Sequence, residues 1–471
     1  MIFKRLYDDG LAQASYLIGC AQAGEAVVVD PLRDVDQYLA AAEAEQVRIT
    51  AVTETHIHAD FLSGSRELAA RTGARLHLSA EGGPDWQYAF AAADGARLLQ
   101  DGDEIVVGHV RLRAMHTPGH TPEHLSFLVT DGAVATDPMG IVSGDFVFVG
   151  DVGRPDLLEK AARVEGSAEA GARVLWRSLE RFRALPDHLQ VWPGHGAGSA
   201  CGKGLSAMPQ STVGYEKLYN WGVGAGSEAE FVRGVLADQP EPPAYFAEMK
   251  RRNRAGPPVL GALPRPARLA PAELAARLEA GAVVVDIRPQ AVAAAGRLPG
   301  TLSIPLNKSF VTWAGSLLPY DTPFYLVTGD GPGGESAARA ARELAMIGLD
   351  HVAGWVGEEA LEWWAAAGRE LAEIPHLHPR DLARQPGAVV LDVRGSAEWR
   401  AGHLPGVPNI PLAELQARAA EVPAGRPLVL QCQGGGRSHI AASLLQIRGV
   451  EVANLAGGFG AWEREGLAVE R

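Results

Sequence analysis

No stretch constrains this chain more than Thr55-His56-Ile57-His58-Ala59-Asp60-Phe61. A strand-like alternation (Val47, Ile49, Ala51) leads into it, and a helix-like run from Ser63 to Arg71 follows. Two imidazoles and a carboxylate, each two residues apart, therefore fall where a strand gives way to a loop. Alternate side chains on extended backbone point to one side, so His56, His58 and Asp60 are predicted to converge on a point, as a metal ion requires. A single His-x-His is also compatible with a solvated polar loop, so the decision rests on what else the chain carries.

Residues 1–250 read as one α/β unit. Glu25 to Pro31 is a buried strand ending at a proline turn, Asp36 to Glu45 a helix, and Val47 to Val52 the next strand. Alternation marks Ala74–Leu78 and Val110–Ala114 as strands too. Three more motifs follow. In His116-Thr117-Pro118-Gly119-His120 the Pro-Gly turn aims His120, the expected third ligand. Ser143-Gly144-Asp145 sets a carboxylate after a glycine at a strand edge, and Trp192-Pro193-Gly194-His195-Gly196-Ala197-Gly198-Ser199-Ala200-Cys201 carries one more histidine on a glycine-rich loop. Each is weak alone; the four in this order are specific. Together they resemble the metallo-β-lactamase superfamily, whose signature is His-x-His-x-Asp-His, and the resemblance implies an αββα sandwich over about half the chain. One position departs: the last His is Phe61, which has no donor atom. In two-metal members that His and the preceding Asp hold the second ion, so Phe61 argues for one metal.

The Pro- and Arg-rich segment 251–268 reads as a linker. Beyond it lies an internal repeat with a constant offset of 106 residues, which relates Asp286 to Asp392, Gly296 to Gly402 and Ile304 to Ile410. Each copy alternates strands and helices, which predicts two small parallel-sheet domains at 269–374 and 375–471. Both resemble the rhodanese (sulfurtransferase) fold.

The copies differ at one loop. In the second, strand Pro427–Leu430 delivers Cys432, and Cys432-Gln433-Gly434-Gly435-Gly436-Arg437-Ser438 opens a helix from His439 to Arg448. Inward N–H groups of the loop, the helix N-terminus and Arg437 all stabilise negative charge on the sulfur. The resemblance makes Cys432 the nucleophile, Arg437 its partner, and Gln433, Gly434, Gly435, Gly436 and Ser438 the cradle for a transferred sulfur; a small buried cysteine is the alternative. In the first copy Asp330 stands at the Cys432 place and Glu335 at the Arg437 place, so that copy is expected to be inactive. The Asp286/Arg288 and Asp392/Arg394 pairs are expected to be structural ion pairs.

His56, His120 and Asp145 make two histidines and a carboxylate, the facial triad of non-haem Fe(II) oxygenases, with positions left for O2 and a substrate sulfur. A zinc hydrolase is usually tetrahedral with a water in the fourth place. His58, Asp60 and His195 would then orient ligands or bind water, with His58 as an alternative fourth ligand. A metal domain of this kind joined to rhodanese domains, with Gly150-Asp151-Val152-Gly153-Arg154-Pro155-Asp156-Leu157 after the metal Asp, resembles the persulfide dioxygenase–rhodanese fusion family. That resemblance implies one Fe(II) per chain. It also implies oxidation of a low-molecular-weight persulfide by O2 to sulfite and thiol, with sulfane sulfur moving between persulfide, sulfite and thiosulfate at Cys432. It further assigns Arg154 and Asp156 to the thiol carrier, against a surface-turn ion pair. Glutathione-using relatives often carry a Tyr where this chain has Ala197, so glutathione, coenzyme A and cysteine all stay open. Cys201 either carries a sulfane sulfur beside the iron or is a small buried residue; Cys20 reads as core.

The 471 residues suggest about three domains. A net charge of −13 without basic blocks argues against nucleic acid. No apolar run approaches the roughly 18–20 residues of a membrane span, and the N-terminus lacks a secretory apolar core. Three widely spaced cysteines are no disulfide framework, which places the chain in a reducing cytoplasm. A homo-oligomer of two or four chains is the expected assembly. Two other readings compete: a zinc thioester hydrolase resembling glyoxalase II, against which Phe61 counts, and a non-enzymatic sulfur-relay scaffold.

Overall fold

The computed structural model describes residues 1–157, 159, 166–385, 387–423 and 428–471. The chain divides into two compact units, Met1–Leu263 with Ala345–Gly348, and Pro264–Leu344 with Leu349–Arg471.

In the first unit two six-stranded sheets face each other. One runs β1 (Ile2–Asp8), β2 (Gln13–Cys20), β3 (Glu25–Val29), β4 (Arg48–Thr53), β5 (Arg75–Ser79), β6 (Arg97–Leu99), in spatial order. The other runs β12 (Ser211–Thr212), β11 (Gln190–Pro193), β10 (Gly140–Gly144), β9 (Leu125–Asp131), β8 (Val110–His116), β7 (Glu104–Val107). Both faces of β2 are covered, and every residue in it is buried. Tyr16, Val27 and Val29 from the first sheet share a core with Leu112, Phe127 and Val129 from the second. On the outer face of the first sheet, Val28, Val52 and Leu76 meet Tyr38 of helix Asp36–Ala44 and Leu68 of helix Ser65–Thr72. On the second, Leu128, Ile141 and Val191 meet Leu175 and Leu179 of helix Ser167–Arg183 and Phe231 of helix Glu228–Leu236. This is the αββα sandwich the sequence predicts. Each large apolar side chain buried in these layers stabilises by about 1.5–3 kcal/mol, which lets the sandwich hold irregular loops at its strand ends. β3 and β4 run parallel, with Val29 opposite Thr53, so the loops after them leave the same edge.

The segment expected as a linker is ordered along much of its length. Helix Phe246–Ala255 runs into it, with Tyr245 at its N-cap. Tyr245 Oη donates to the Asp60 carbonyl (3.0 Å), and buried Asn253 donates to the carbonyls of His58 (2.8 Å) and Phe61 (2.7 Å) while accepting from Ser63 N (2.8 Å). Leu260 N and Gly261 N both donate to the Glu67 carboxylate. The helix thus supplies partners to the metal-motif loop at the His58, Asp60 and Phe61 carbonyls and at Ser63 N.

The second unit holds two four-stranded parallel sheets. Their orders are β14 (Leu302–Ser303), β13 (Val283–Asp286), β15 (Phe324–Val327), β16 (Val352–Val356), and β17 (His376–Leu377), β20 (Val452–Leu455), β19 (Leu428–Gln431), β18 (Val389–Asp392). Pro427, expected to open β19, lies outside the described residues. The 106-residue offset recurs in atomic detail. Arg288 pairs with Asp286 and donates to Gly296 O (2.7 Å); Arg394 pairs with Asp392 and donates to Gly402 O (2.7 Å). All four side chains are buried, so these are the structural ion pairs expected.

Replacing Asn253 with Ala leaves three buried backbone groups unpaired. We expect a loss of about 2–4 kcal/mol of stability, read from the urea midpoint at unchanged slope. A change under about 0.5 kcal/mol would show that the helix does not brace the loop.

Candidate functional site

The metal motif begins where β4 ends. Thr55 N (2.6 Å) and Thr55 Oγ1 (2.8 Å) both donate to the carboxylate of Asp30, which follows β3 at a positive φ of 53°. His56 and Asp60 fall in two adjoining donor sets and His58 in neither, so the single point predicted for His56, His58 and Asp60 is not formed. His58 instead turns its Nε2 to Asp30 Oδ1 (3.1 Å). Burial opposes charge on the His58 ring, but Asp30, helped by Asp60 and Glu54, outweighs it and holds the group up at about 9.

His56, His120 and Asp145 do come together: one donor atom from each lies within 4.8 Å of the others, and all three are buried. Asp145 Oδ2 stands 3.5 Å from His120 Nε2 and 3.9 Å from His56 Nε2. Ligands about 2.1 Å from an ion stand roughly 3.0–3.4 Å apart, so the set is a few tenths of an ångström wider than a bound ion needs. Each ring is oriented from behind. His120 Nδ1–H donates to the Arg154 carbonyl (3.3 Å), and His56 Nδ1 is bonded to Thr55 Oγ1 (2.9 Å), which leaves both Nε2 atoms facing Asp145. Burial, then the charge of neighbouring histidines, pushes His56 well below its ordinary value; burial also lowers His120. Neutral imidazoles are the ligand form. Neither Asp145 oxygen has a hydrogen-bond partner, an arrangement costly in a buried carboxylate unless a cation faces it. These residues fit a divalent metal ion.

A second set adjoins the first. Asp60, His195 and Cys201, all buried, also bring donor atoms within 4.8 Å of one another. His195 Nδ1–H donates to the Ala12 carbonyl (3.0 Å); its Nε2 lies 3.2 Å from Asp60 Oδ2 and 3.4 Å from Asp145 Oδ1. Both Asp60 oxygens lack hydrogen-bond partners. Phe61 is fully buried, 4.3 Å from the His58 ring, and packs with Leu32. Burial, then Asp60 and Asp145, pushes the Cys201 thiol well up, which works against the thiolate that sulfur transfer requires.

Arg154 and Asp156, expected to hold the thiol carrier, form an ion pair immediately behind His120. Arg154 is fully buried; its guanidinium grips Asp156 (2.9 and 2.7 Å), the Ala200 carbonyl (2.9 Å) and the Pro240 carbonyl (2.6 Å). The pair ties the loop behind His120 to the Cys201 loop. Two functional positions escaped sequence reasoning. Asp30 was read only as a strand end. His124, neutral because burial lowers it well below its usual value, accepts from Asp145 N (3.1 Å) through Nε2 and so places the metal carboxylate. Its only sequence signal is its place four residues after His120.

In the second unit Cys432 is buried at the end of β19. Gly435 N (3.1 Å) and Ser438 Oγ (3.3 Å) donate to its sulfur, while Gln433, Gly434 and Gly436 are exposed around it. Gly435 takes a φ of 95°, which a side chain disfavours. Arg437 is paired with Glu398 (2.5 and 2.8 Å), and its guanidinium also interacts with the Cys432 sulfur. The first repeat reaches this loop too: Gln290 Nε2 donates to the Gly435 carbonyl (3.1 Å). In that repeat Asp330 accepts from Ser336 N (2.5 Å) and Ser336 Oγ (2.8 Å), capping helix Glu335–Met346.

Comparisons with known proteins agree with this layout. Residues 8–195 match the metallo-beta-lactamase superfamily, and residues 380–465 match the rhodanese-like domain. A metallo-beta-lactamase from Staphylococcus aureus is 43% identical, covering 76% of this chain and 99% of its own, at a TM-score of 0.69. The hydroxyacylglutathione hydrolase of a Polaromonas species is 33% identical over 199 residues, and the chain spans 66% of that enzyme's length. The structure of ETHE1 from Myxococcus xanthus is 28% identical over 56% of this chain, at a TM-score of 0.44.

Arg154→Met separates a brace from a substrate contact. We expect about 3–5 kcal/mol of lost stability, because Asp156 keeps its burial without its cation. Unchanged stability with a raised substrate KM would restore Arg154 to the thiol carrier.

Proposed function

Because the chain belongs to the metallo-β-lactamase superfamily, we propose that it is an Fe(II)-dependent persulfide dioxygenase coupled to a sulfurtransferase. Persulfide, O2 and water give thiol and sulfurous acid, which is sulfite at neutral pH. At Cys432 a second persulfide gives up its outer sulfur: the new S–S bond forms at Sγ, the old one breaks, and the carrier thiolate leaves. Transfer of that sulfur to sulfite gives thiosulfate and regenerates Cys432; the reverse uses thiosulfate.

One observation carries this reading: the buried His56–His120–Asp145 set of two histidines and one carboxylate, with Phe61 at the sequence position of a further donor. When bound there, ferrous iron supplies the redox chemistry that joins O2 to a sulfur. The chain's own contribution is position. Thr55 and the Arg154 carbonyl fix the two rings, and His124 fixes the Asp145 backbone. At Cys432 the Gly435 N–H and the Ser438 hydroxyl hold the sulfur and stabilise charge on it. No helix among the described residues is long and apolar enough to cross a membrane.

A second reading is favoured by the Asp60–His195–Cys201 set, which faces the free oxygen of Asp145 and could hold a second ion. Two metals and a relative that hydrolyses hydroxyacylglutathione support a thioester hydrolase.

Metal content and O2 uptake on the purified protein decide between them. We expect about one iron per chain and persulfide-dependent O2 consumption, abolished in His120→Ala. Cys432→Ala is expected to keep O2 uptake and lose thiosulfate formation. Two zinc ions per chain without O2 uptake would overturn the dioxygenase.

A further inference from the structure

The first repeat carries no cysteine at its own loop, yet it reaches the loop that holds Cys432. That loop has little with which to hold its own shape. Gly434, Gly435 and Gly436 follow one another, and three glycines in a row leave the backbone free to turn. A Cβ at Gly434 would meet nothing within 4 Å, and one at Gly436 would meet only Gln290 Oε1, at 3.8 Å. The Gly435 N–H nevertheless has to stay 3.1 Å from the Cys432 sulfur for the cradle to work.

The loop is gripped at the Gly435 carbonyl. It accepts from His439 N (3.2 Å), the ordinary bond of a helix start, and also from two side-chain amides. Asn454 Nδ2 (3.0 Å) comes from β20 of the same repeat, and Gln290 Nε2 (3.1 Å) comes from the first repeat. Gln290 is itself fixed. It opens helix Gln290–Ala295, which the buried Arg288 spans: paired with Asp286 before the helix, Arg288 donates to Gly296 O after it (2.7 Å). The repeats are also docked along the helix that follows the loop. There Ser303 N donates to Ser443 Oγ (2.9 Å), and Ser303 Oγ is bonded to His439 Nε2 (2.8 Å), all of them buried. The residue 106 positions after Gln290 makes no such crossing: Ser396 Oγ donates to Asn409 Oδ1 in its own repeat (3.4 Å). Among the described residues, the crossing clamp is found at the loop that keeps its cysteine.

Gln290 also stands beside the approach to the sulfur. With Asn307 and Trp313 it walls a cavity of about 70 Å³ whose other side is Gly436 and Arg437, and the Arg437 guanidinium interacts with the Cys432 sulfur. A water needs roughly 10–15 Å³ of such space, so the cavity admits several waters or one small oxyanion.

We propose that Gln290 of the first repeat is a positioning residue for sulfur transfer at Cys432: by holding the Gly435 carbonyl it keeps the Gly435 N–H aimed at Sγ. When sulfite takes the outer sulfur, the S–S bond breaks and its electron pair returns to Sγ. An N–H already in place stabilises that charge without reorganising. Gln290 acts through the loop and does not touch the reacting sulfur. The assignment rests on the sulfurtransferase half of the proposed function and adds the working part that the first repeat plays in it.

The test compares the metal-loaded full chain with Gln290→Ala, Gln290→Glu (same size, no donor at neutral pH) and Gln290→Lys (a donor restored). Each is read for its urea midpoint, for the rate of Cys432 alkylation by iodoacetamide followed on the Cys432 peptide by mass, and for kcat and KM of thiosulfate formation from glutathione persulfide and sulfite. In Gln290→Ala we expect alkylation and kcat to fall roughly five- to tenfold, with KM for both substrates and the urea midpoint held. Gln290→Glu should lose at least as much, and Gln290→Lys should recover most of the rate. Unaltered alkylation and kcat in Gln290→Ala and Gln290→Glu, a loss confined to KM, or a loss that follows a lowered urea midpoint in all three variants overturns the proposal. A wild-type chain that forms no thiosulfate but whose alkylation depends on Gln290 in this way would count against the sulfurtransferase and leave the positioning role standing.

Discussion

Two buried carboxylates that accept no hydrogen bond govern the first unit. Asp60 and Asp145 are both buried, and none of their four carboxylate oxygens has a hydrogen bond. Removing a carboxylate from water without a partner costs several kcal/mol, far more than a sandwich of this kind gains from any one side chain. The fold accepts that cost only because the loops are pinned elsewhere. Asp30 grips Thr55, Asn253 closes the loop from outside, and Arg154 ties two further loops together behind His120. Each brace is a fully buried polar group with its bonds satisfied. They hold the unsatisfied groups in a geometry that only a cation relieves.

The sandwich was legible because its strands alternate or run apolar in ways that only two covered sheets explain. The metal set was legible because His56, His120 and Asp145 each follow a strand. What failed was reasoning that extended strand geometry past Thr53. Period-two logic holds on a strand and fails one residue beyond it, and the agent of failure, Asp30, lies 25 residues upstream in a strand that merely looked finished. For Arg154 the resemblance implied a carrier contact and the residues an ion pair, and only tertiary structure brings the Ala200 and Pro240 carbonyls next to its guanidinium. Asn253 was hidden in a stretch whose prolines and arginines have linker composition, although the helix begins before those prolines.

The repeat was legible to the residue because a constant offset needs no tertiary information. Its structural ion pairs recur bond for bond, so the fold treats the two copies alike wherever chemistry is not at stake. The copies also meet: Gln290 of the first supports the Gly435 peptide of the second. A sequence cannot report such a contact, since nothing in either motif marks it.

The cap at Asp330 has a wider implication. In one loop a carboxylate receives the amide and hydroxyl of Ser336; in the other a sulfur receives the hydroxyl of Ser438 and the amide of Gly435. What the architecture demands at that position is an acceptor at the mouth of a helix, and a thiolate meets the demand as one acceptor among others. Reactivity there is an option laid over a structural duty. A copy that abandons the option keeps its shape, and stays available as scaffold for the copy that retains it.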